Sequence, residues 1–219
     1  MPPTDRPDAR GALREGARGL GCDLSDDQIE AFMIFLNQLL AWNKKINLTA
    51  ITSEREIIDK HFLDSLAGLK AITGGSETTL LDIGSGAGFP GLPLKIVRPS
   101  MRVTLLEASQ KKSAFLHHLC GALQLSEMTV LNQRVEDLWK SEKRYDWVVA
   151  RAFAKPEIAI AKAVGLLSGN GRLVLYQGRP DPSGALPARS FWERTIPYQL
   201  PLSHNQRRLE IFRRPAKET

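Results

Sequence analysis

The chain has 219 residues, of which 42% are hydrophobic and 25% are charged, and its formal net charge is +6. This composition is typical of a globular protein, and the length allows one domain with a substantial hydrophobic core. Two cysteines, Cys22 and Cys120, are too few for a disulfide framework or a cysteine-rich metal site, so we expect a reducing compartment, the cytoplasm. No apolar run reaches the roughly 18 residues of a membrane helix, so we expect no membrane association. The positive charge is compatible with a polyanionic partner, although many enzymes carry such an excess without one.

The pattern of the sequence predicts three regions. Residues 1–22 are rich in Pro, Gly and Arg and lack the apolar stretch of a secretion signal, so we expect a mobile arm. Residues 23–75 carry apolar side chains at helical spacing and are predicted to form a helical cap. Residues 76–219 are predicted to form the main domain. We expect cap and main domain to fold as one compact unit, which is a monomer.

The cap is predicted to contain two amphipathic helices. Ser25 and Gln28 have the spacing of a capping box, and the apolar pattern after them predicts a helix over Asp26–Trp42. Ser53 and Glu56 repeat this spacing ahead of the second helix.

The main domain alternates short apolar runs with segments long enough for helices. The runs are TTLLDI, RVTLLE, MTVLN, YDWVVA and RLVLYQ, and their alternation predicts a Rossmann-like, doubly wound and mostly parallel α/β sheet. A proline-bearing loop, RPDPSGALPARS, follows Gly178 and is predicted to lead to two further strands, near Phe191–Leu200 and Arg208–Arg213.

The strongest local signal is the segment LLDIGSGAGFPG, in which an apolar strand ends near Asp82 and runs into a glycine-rich loop. Glycine allows a sharp turn and a close approach of the backbone to a ligand. Gly84, Gly86 and Gly88 match the G-x-G-x-G pattern of methyltransferases. An overlapping set that ends at Gly91 matches the G-x-G-x-x-G pattern of dinucleotide-binding enzymes. The Phe-Pro pair inside the loop disfavours a pyrophosphate without excluding it.

Two acidic residues extend this candidate cofactor site. Glu107 follows the second strand, about 20 residues after the glycines, where its carboxylate can accept both ribose hydroxyls of an adenosine. Adenosine occurs both in the cofactor of methyltransferases and in dinucleotides, so Glu107 does not decide between the two glycine patterns. Asp82 lies in an otherwise apolar strand, and we expect it to orient the loop and the charged amino-acid end of a cofactor.

The third and fourth strands add candidates at the same edge of the sheet. Val135 and Glu136 follow the third strand and can cover an adenine face and bind its amino group; the alternative is a plain helix start with an acidic first turn. Arg151 ends the fourth strand beside the predicted cleft. Its alternative interpretation is a structural arginine that pairs with a carboxylate.

Several motifs in one order resemble the glucose-inhibited division protein B family, also called the ribosomal RNA small-subunit methyltransferase G family. They are LLAWNKKINLTAI, HFLDSL, LLDIGSGAGFPG, RVED and DWVVARAFA, within roughly residues 39–178. Linked motifs at the family's usual separations are more specific than one glycine loop. The sequence departs from the family at Gln177-Gly178, where Lys-Gly is usual, and at the following loop, where a helix is usual.

The resemblance implies a class I methyltransferase fold with a helical cap. It also implies transfer of a methyl group from S-adenosylmethionine to N7 of a guanine in 16S ribosomal RNA, as free RNA or within a small-subunit particle. By motif it places cofactor contacts on Gly84, Phe89, Val135, Glu136 and Arg151, and the general pattern of the fold adds Gly86 and Glu107. Asp82 and Gly88 complete the predicted cofactor set.

No general base or metal site is predicted, because the N7 lone pair of guanine is free to attack the sulfonium methyl without losing a proton. His61 and Asp64 share one predicted helix face, but such a pair is interpreted as structural rather than catalytic. Asn43 and Asn47 are interpreted as caps of turns in their loop, with base recognition as the alternative.

Five basic residues near the cap and the last strands are hypothesised to hold the RNA backbone: Lys44, Lys45, Lys60, Arg207 and Arg208. Alternatives from other functional classes are an NAD-dependent oxidoreductase and a non-catalytic RNA-binding protein that retains a nucleotide-binding fold. The nearest alternative is a methyltransferase that acts on another RNA, a protein or a small molecule, because a fold does not dictate its substrate.

Overall fold

The computed structural model describes residues 7–75, 77–178 and 191–214. Seven strands among these residues form one sheet in the order β3-β2-β1-β4-β5-β7-β6. They are β1 (Thr79–Ile83), β2 (Arg102–Leu106), β3 (Met128–Leu131), β4 (Tyr145–Arg151), β5 (Leu167–Gln177), β6 (Trp192–Gln199) and β7 (Gln206–Arg213). Neighbouring strands are parallel except that β7 is antiparallel to both β5 and β6. The predicted doubly wound, mostly parallel sheet is confirmed.

The helices precede the sheet or connect its strands. They are α1 (Pro7–Gly19), α2 (Asp26–Ile46), α3 (Glu54–Ile57), α4 (Asp64–Leu66), α5 (Gly91–Val97), α6 (Gln110–Ala122), α7 (Val135–Leu138) and α8 (Pro156–Val164). A π-helical segment, Ile58–Leu63, joins α3 to α4, and a 3-10 turn, Ala67–Lys70, ends this helical run. No helix in the described part of the chain is long and apolar enough to cross a bilayer.

Helices cover both faces of the central sheet, which explains why its strands are nearly continuous apolar runs. Successive residues of a strand point to opposite faces. Leu80 and Val149 belong to the hydrophobic cluster that includes the cap, whereas Leu81 and Val148 belong to a second cluster on the other face. On the first face α2 packs against α5 and α6, and on the second α8 packs against β5. Cap residues and sheet residues thus share one continuous core.

The π-helical segment connects the cap to the far half of the sheet. A π-turn departs from the regular α-helical ladder and often occurs at functional sites. The carbonyl oxygen of Lys60 accepts a hydrogen bond from Arg151 at the end of β4 (2.9 Å). Asp59 accepts one from the backbone N–H of Leu202, between β6 and β7 (3.0 Å). Two separate parts of the sheet are therefore fixed to one helical segment.

The prediction of a mobile arm is wrong for residues 7–22, because most of this stretch forms α1. Residues 1–6 lie outside the described part of the chain. Ala9, Leu13 and Ala17 are buried at helical spacing. They lie on the side of α1 that packs against the π-helical segment and α2. Alanine and leucine are the strongest helix formers, and their spacing outweighs the Gly and Arg content that suggested an arm.

The arginines of α1 face acidic residues rather than bulk solvent alone. Arg14 pairs with Asp26 (2.6 Å), and Arg18 pairs with Asp23 (3.3 Å). A third pair joins Arg10 to Glu30 in α2. These exposed or half-exposed pairs add little stability individually, so the buried apolar side chains account for most of the docking of α1.

The other helices and strands begin and end close to the predicted residues. Helix α2 begins at the predicted residue, with the predicted capping box between Ser25 and Gln28, but it continues past Trp42 to Ile46. Ser53 is the N-cap of α3, but its side chain makes no capping hydrogen bond. Both strands expected after the proline-bearing loop are present. The loop itself, residues 179–190, lies outside the described part.

We predict that Leu13→Ala lowers the free energy of unfolding by about 2–5 kcal/mol, because truncating a buried leucine leaves a cavity. Denaturant unfolding followed by circular dichroism measures this change. Arg18→Ala is the matched control on the same helix, and its exposed ion pair predicts a loss below about 1 kcal/mol. Equal stability of Leu13→Ala and the parent protein would contradict the packing of α1.

Candidate active site

A cleft of about 400 Å³ opens at the carboxyl edge of the sheet, where β1, β2 and β4 end. Ligands bind at this edge in doubly wound sheets. Four segments line it: the glycine loop, the residues around the end of β2, the start of α7 and the turn after β4, with one side chain each from α6 and α8. The lining residues are Ile83, Gly84, Gly86, Leu106, Glu107, Ala108, Lys112, Gln133, Arg134, Val135, Glu136, Ala152, Phe153 and Lys162.

The glycine loop requires glycine at two positions. Gly84 has a φ of +70°, and a Cβ there would lie 2.4 Å from Cδ2 of Phe153. Gly88 has a φ of +96°, and a Cβ there would lie 2.4 Å from Cδ1 of Leu92. Side chains are disfavoured at both positions by backbone conformation and by space. As a result, the ring of Phe153 lies directly against the loop at the floor of the cleft.

Glu107, directly after β2, holds the glycine loop in place. Its Oε2 accepts a hydrogen bond from the N–H of Gly86 (2.9 Å), and its Oε1 accepts one from the N–H of Ser109 (2.8 Å). The side chain is largely buried yet lines the cleft. Each carboxylate oxygen has two acceptor positions, so each retains one for a hydroxyl group in the cleft.

The outer side of the cleft is formed by α7 and α8. Val135 is buried and presents an apolar surface, and Glu136 forms an ion pair with Lys162 (2.5 Å). The hydrogen bond from Lys162 is the main cause that lowers the pKa of Glu136. The Lys162 ammonium also lies 5.5 Å from the centre of the Phe153 ring. Lys162 therefore joins the α7 side of the cleft to the β4 side.

Arg151, at the end of β4, points toward the cap rather than into the cleft. Its Nη1 donates to the carbonyl of Lys60 (2.9 Å) and to Oδ2 of Asp64 (3.0 Å). Its Nη2 lies 3.1 Å from Nδ1 of His61, and its guanidinium lies 5.0 Å from the centre of the Phe89 ring. The alternative interpretation, pairing with a carboxylate, therefore describes this side chain; a cofactor contact stays a prediction.

Asp64 is the buried carboxylate at the centre of this network. Its Oδ2 binds Arg151, and its Oδ1 accepts a hydrogen bond from the hydroxyl of Tyr198 in β6 (2.8 Å). The Nε atom of Arg207 lies 3.9 Å from the same Oδ1. Burial, followed by the negative charge of Asp64, raises the pKa of the Tyr198 hydroxyl far above its usual range. Tyr198 therefore acts as a neutral donor.

The predicted pair of His61 and Asp64 meets through Arg151. Each of the two side chains binds a different nitrogen of the guanidinium. Burial, followed by the Arg151 charge, lowers the pKa of His61 to about 3. The imidazole is consequently neutral near pH 7, in agreement with a structural role.

Two predicted cofactor residues lie behind the cleft. Phe89 is buried. The centre of its ring lies 5.0 Å from the ring centre of Phe35 and 4.6 Å from that of His61. Asp82 is fully buried; its Oδ2 accepts a hydrogen bond from the N–H of Gly91 (2.9 Å), while its Oδ1 has no partner among the described residues. Burial raises the pKa of Asp82 to about 7. Asp82 thus holds the end of the loop at Gly91, and its contact with the charged end of a cofactor stays a prediction.

The structure brings five of the nine predicted cofactor residues to the cleft surface: Gly84, Gly86, Glu107, Val135 and Glu136. Asp82, Gly88, Phe89 and Arg151 are not among the lining residues. Phe153 and Lys162 also line the cleft but are not among the predicted residues. Phe153 is inside the motif DWVVARAFA, whereas the contact of Lys162 with Glu136 depends on how α8 packs against α7, for which the sequence gives no signal.

The hypothesised RNA-binding residues do not share one surface. Lys44 and Lys45 are exposed at the end of α2, and Lys60 pairs with Glu56 one helical turn earlier. Arg207 and Arg208 are successive residues of β7 and point to opposite faces of the sheet. Arg207 lies near Asp64 on the cap face, whereas Nε of Arg208 is 2.6 Å from Oε1 of Glu210.

Asn43 caps its loop, as the simpler interpretation predicted. Its side chain accepts from the N–H of Thr49 and donates to the carbonyl of the same residue, both at 2.9 Å. Asn47 has a φ of +47° and ends α2 in a left-handed conformation, which asparagine tolerates well. Both residues shape the connection between α2 and α3.

A family model for rRNA small subunit methyltransferase G matches residues 28–208. The chain belongs to this family. It is 37% identical over 212 residues to the ribosomal RNA small subunit methyltransferase G of Pelotomaculum thermopropionicum, covering 92% of this chain and 89% of that protein. To the protein of the same name from Myxococcus xanthus it is 39% identical over 214 residues, covering 94% and 96%.

A solved structure agrees on the fold. The ribosomal protein L11 methylase of Lactobacillus delbrueckii subsp. bulgaricus superimposes with a TM-score of 0.55 at 15% identity, covering 71% of this chain and 79% of that one. Together with the family match, this confirms the class I methyltransferase fold and S-adenosylmethionine as the cofactor. The oxidoreductase alternative is thereby set aside.

We predict that Glu107→Gln weakens the binding of S-adenosylhomocysteine about tenfold to a hundredfold. The amide offers one acceptor atom and places an NH₂ group against a backbone N–H, so a charge-assisted hydrogen bond is lost. Isothermal titration calorimetry gives the affinity. Glu127→Gln, an exposed residue just before β3, is the control and should bind as the parent protein does. Unchanged affinity of Glu107→Gln would place the cofactor elsewhere.

Proposed function

We propose that this methyltransferase transfers the methyl group of S-adenosylmethionine to N7 of a guanine in 16S ribosomal RNA. The observation that carries the proposal is the family match over residues 28–208, combined with a glycine loop fixed by Glu107 at the carboxyl edge of the sheet. The substrate is 16S RNA, free or within the small-subunit particle. Such a substrate agrees with a cytoplasmic location, and we expect a monomer.

The cleft suits the adenosine half of the cofactor. The ribose hydroxyls would donate to the free acceptor positions of Glu107. The adenine would lie against Val135, with its amino group toward the carboxylate of Glu136. The ion pair with Lys162 holds that carboxylate at the rim of the cleft before the ligand arrives.

The charged amino-acid end of the cofactor would extend past Gly84 toward Asp82 and Arg151. The unpartnered Oδ1 of Asp82 suits an ammonium group, and the positive charge of Arg151 suits a carboxylate. A bound ammonium favours the ionised carboxylate of Asp82, whose pKa burial raises to about 7. These two residues would bind opposite charges of one zwitterion.

Methyl transfer itself needs orientation rather than proton transfer. The N7 lone pair forms the new N–C bond as the S–C bond of the sulfonium breaks, giving S-adenosylhomocysteine and a positively charged N7-methylguanine. Holding the two reactants in line supplies on the order of 7–11 kcal/mol of barrier reduction. The guanine would approach beside Phe153 and the exposed Ala152, at the β4 side of the cleft.

Four lysines, of which Lys112 lines the cleft, are the proposed surface for the RNA backbone. Helix α2 runs antiparallel to α6, because Gln38 and Trp42 contact His118 while Trp42 also contacts Phe115. The end of α2 therefore lies beside the start of α6. This places Lys44 and Lys45 near Lys111 and Lys112, the last of which lines the cleft. Of the originally hypothesised residues, the two from α2 fit this surface best.

We expect the purified protein to transfer a labelled methyl group from S-adenosylmethionine to 16S RNA or small subunits from cells that lack the enzyme. Mapping the modified base should identify N7 of one guanine, whose available lone pair reacts without a general base. Label on another atom or only on protein would contradict the proposed substrate while leaving the cofactor site intact.

We further expect the double variant Lys44→Gln, Lys45→Gln to raise KM for RNA and to flatten its dependence on salt. Each lost phosphate contact should reduce the slope of log affinity against log salt by about 0.7–0.9. The control, Lys143→Gln with Arg144→Gln, removes two exposed charges just before β4, at the opposite edge of the sheet, and should change neither. Identical salt slopes for both double variants would eliminate the α2 surface.

A further inference from the structure

The partly buried imidazole of His61, in the π-helical segment, has a defined orientation. One face of His61 stacks on Phe89, with ring centres 4.6 Å apart and planes inclined by 19°. Its Nε2 lies 2.9 Å from Oγ1 of Thr49, and its Nδ1 lies 3.1 Å from Nη2 of Arg151. Both ring nitrogens and one ring face of His61 are therefore in contact with neighbouring side chains.

These contacts fix the tautomer. A guanidinium only donates hydrogen bonds, so Nδ1 must be the acceptor and the proton must be on Nε2. The Nε2–H then donates to Thr49 Oγ1, which also accepts from the N–H of Ile51 (3.1 Å). Asn43 in turn holds the backbone of Thr49. A chain of contacts thus leads from the loop after α2 to the end of β4.

Arg151 retains donors that the cap does not use. Both Nη1 hydrogens are engaged, by the Lys60 carbonyl and by Asp64, and one Nη2 hydrogen is engaged by His61. For Nε–H and the second Nη2 hydrogen, the described residues provide no hydrogen-bond acceptor. The Arg151 side chain as a whole is 15% exposed at the edge of the sheet, so it is not sealed off from a ligand there.

We propose that His61 is a positioning residue for methyl transfer: its Nδ1 fixes the rotation of the Arg151 guanidinium so that the free donors meet the carboxylate of S-adenosylmethionine. This inference rests on the proposed function, which assigns that carboxylate to Arg151. Asp64 neutralises the charge, but Asp64 and the Lys60 carbonyl both bind Nη1 and make no contact with Nη2. His61 supplies the second fixed point, on the other terminal nitrogen.

A histidine suits this position because it combines a flat ring with an acceptor. The ring fills the space beside Phe89, and the neutral imidazole adds no charge next to Arg151. Burial keeps the pKa of His61 near 3, so the acceptor persists over the whole physiological pH range. The proposed role is geometric and requires no change of protonation during the reaction.

Two substitutions separate the acceptor from the ring. His61→Asn keeps an acceptor near the position of Nδ1 but loses the ring, whereas His61→Phe keeps the stacked ring but loses the acceptor. We expect His61→Asn to bind S-adenosylhomocysteine nearly as the parent protein does, and His61→Phe to bind about tenfold more weakly or worse. In turnover, His61→Phe should raise KM for S-adenosylmethionine more than it lowers kcat.

Thermal unfolding of each variant shows whether a loss of binding reflects loss of the fold. Should His61→Phe not fold, Thr49→Val provides the second test, since it removes the acceptor of the His61 Nε2–H and should raise KM for the cofactor severalfold. His118→Asn, an exposed histidine of α6 that also lies against an aromatic ring, is the control and should behave as the parent protein.

Arg151→Gln separates the positioning role of His61 from the contact of Arg151 with the cofactor. If Arg151→Gln and His61→Phe both lose affinity while His61→Asn keeps it, the positioning role holds. If Arg151→Gln loses affinity but His61→Phe binds normally, or if both His61 variants lose it equally, the positioning role is refuted and the cofactor site stands. Normal binding by Arg151→Gln would overturn the proposed contact itself.

Discussion

The ion pair between Arg151 and Asp64 connects the helical cap to the edge of the sheet where the cofactor cleft opens. Removing two charges from water is costly, and the cost is offset only when the remaining donors and acceptors are also satisfied. Here the Lys60 carbonyl, His61 and Tyr198 supply those partners. The segment that follows β4 is therefore anchored from the cap side, and the turn that carries Phe153 begins at a fixed point.

Two levels of organisation produce the cleft. The inner level is local in sequence: glycines 84 and 86 follow β1 directly, and Glu107 follows the neighbouring strand, so parallel pairing brings them together. The outer level depends on helices from distant parts of the chain, since α8 supplies Lys162 and the π-helical segment supplies His61. In the proposed binding mode, the inner level holds the ribose, while the outer level orients Glu136 toward the adenine and Arg151 toward the charged end of the cofactor.

The sequence therefore predicts the inner level well and the outer level poorly. Alternating apolar runs and the glycine loop predict the sheet, its carboxyl edge and the place of Glu107, because these follow from strand periodicity and from parallel pairing. The direction of the Arg151 side chain and the contact between Lys162 and Glu136 depend on helix packing, which local patterns do not encode. Helix α1 was missed for a different reason: its Ala9, Leu13 and Ala17 form a narrow apolar stripe among glycines and arginines, and only packing against the cap shows its use.

The most direct test of the account is a crystal structure of the protein with S-adenosylhomocysteine. We predict the ribose hydroxyls on Glu107, the adenine against Val135 and the carboxylate on the free nitrogens of Arg151, with its bonds to Asp64 and His61 retained. A cofactor whose carboxylate lies away from Arg151, or an Arg151 that leaves Asp64 to reach the ligand, would contradict the central claim that the cap positions this arginine for the cofactor.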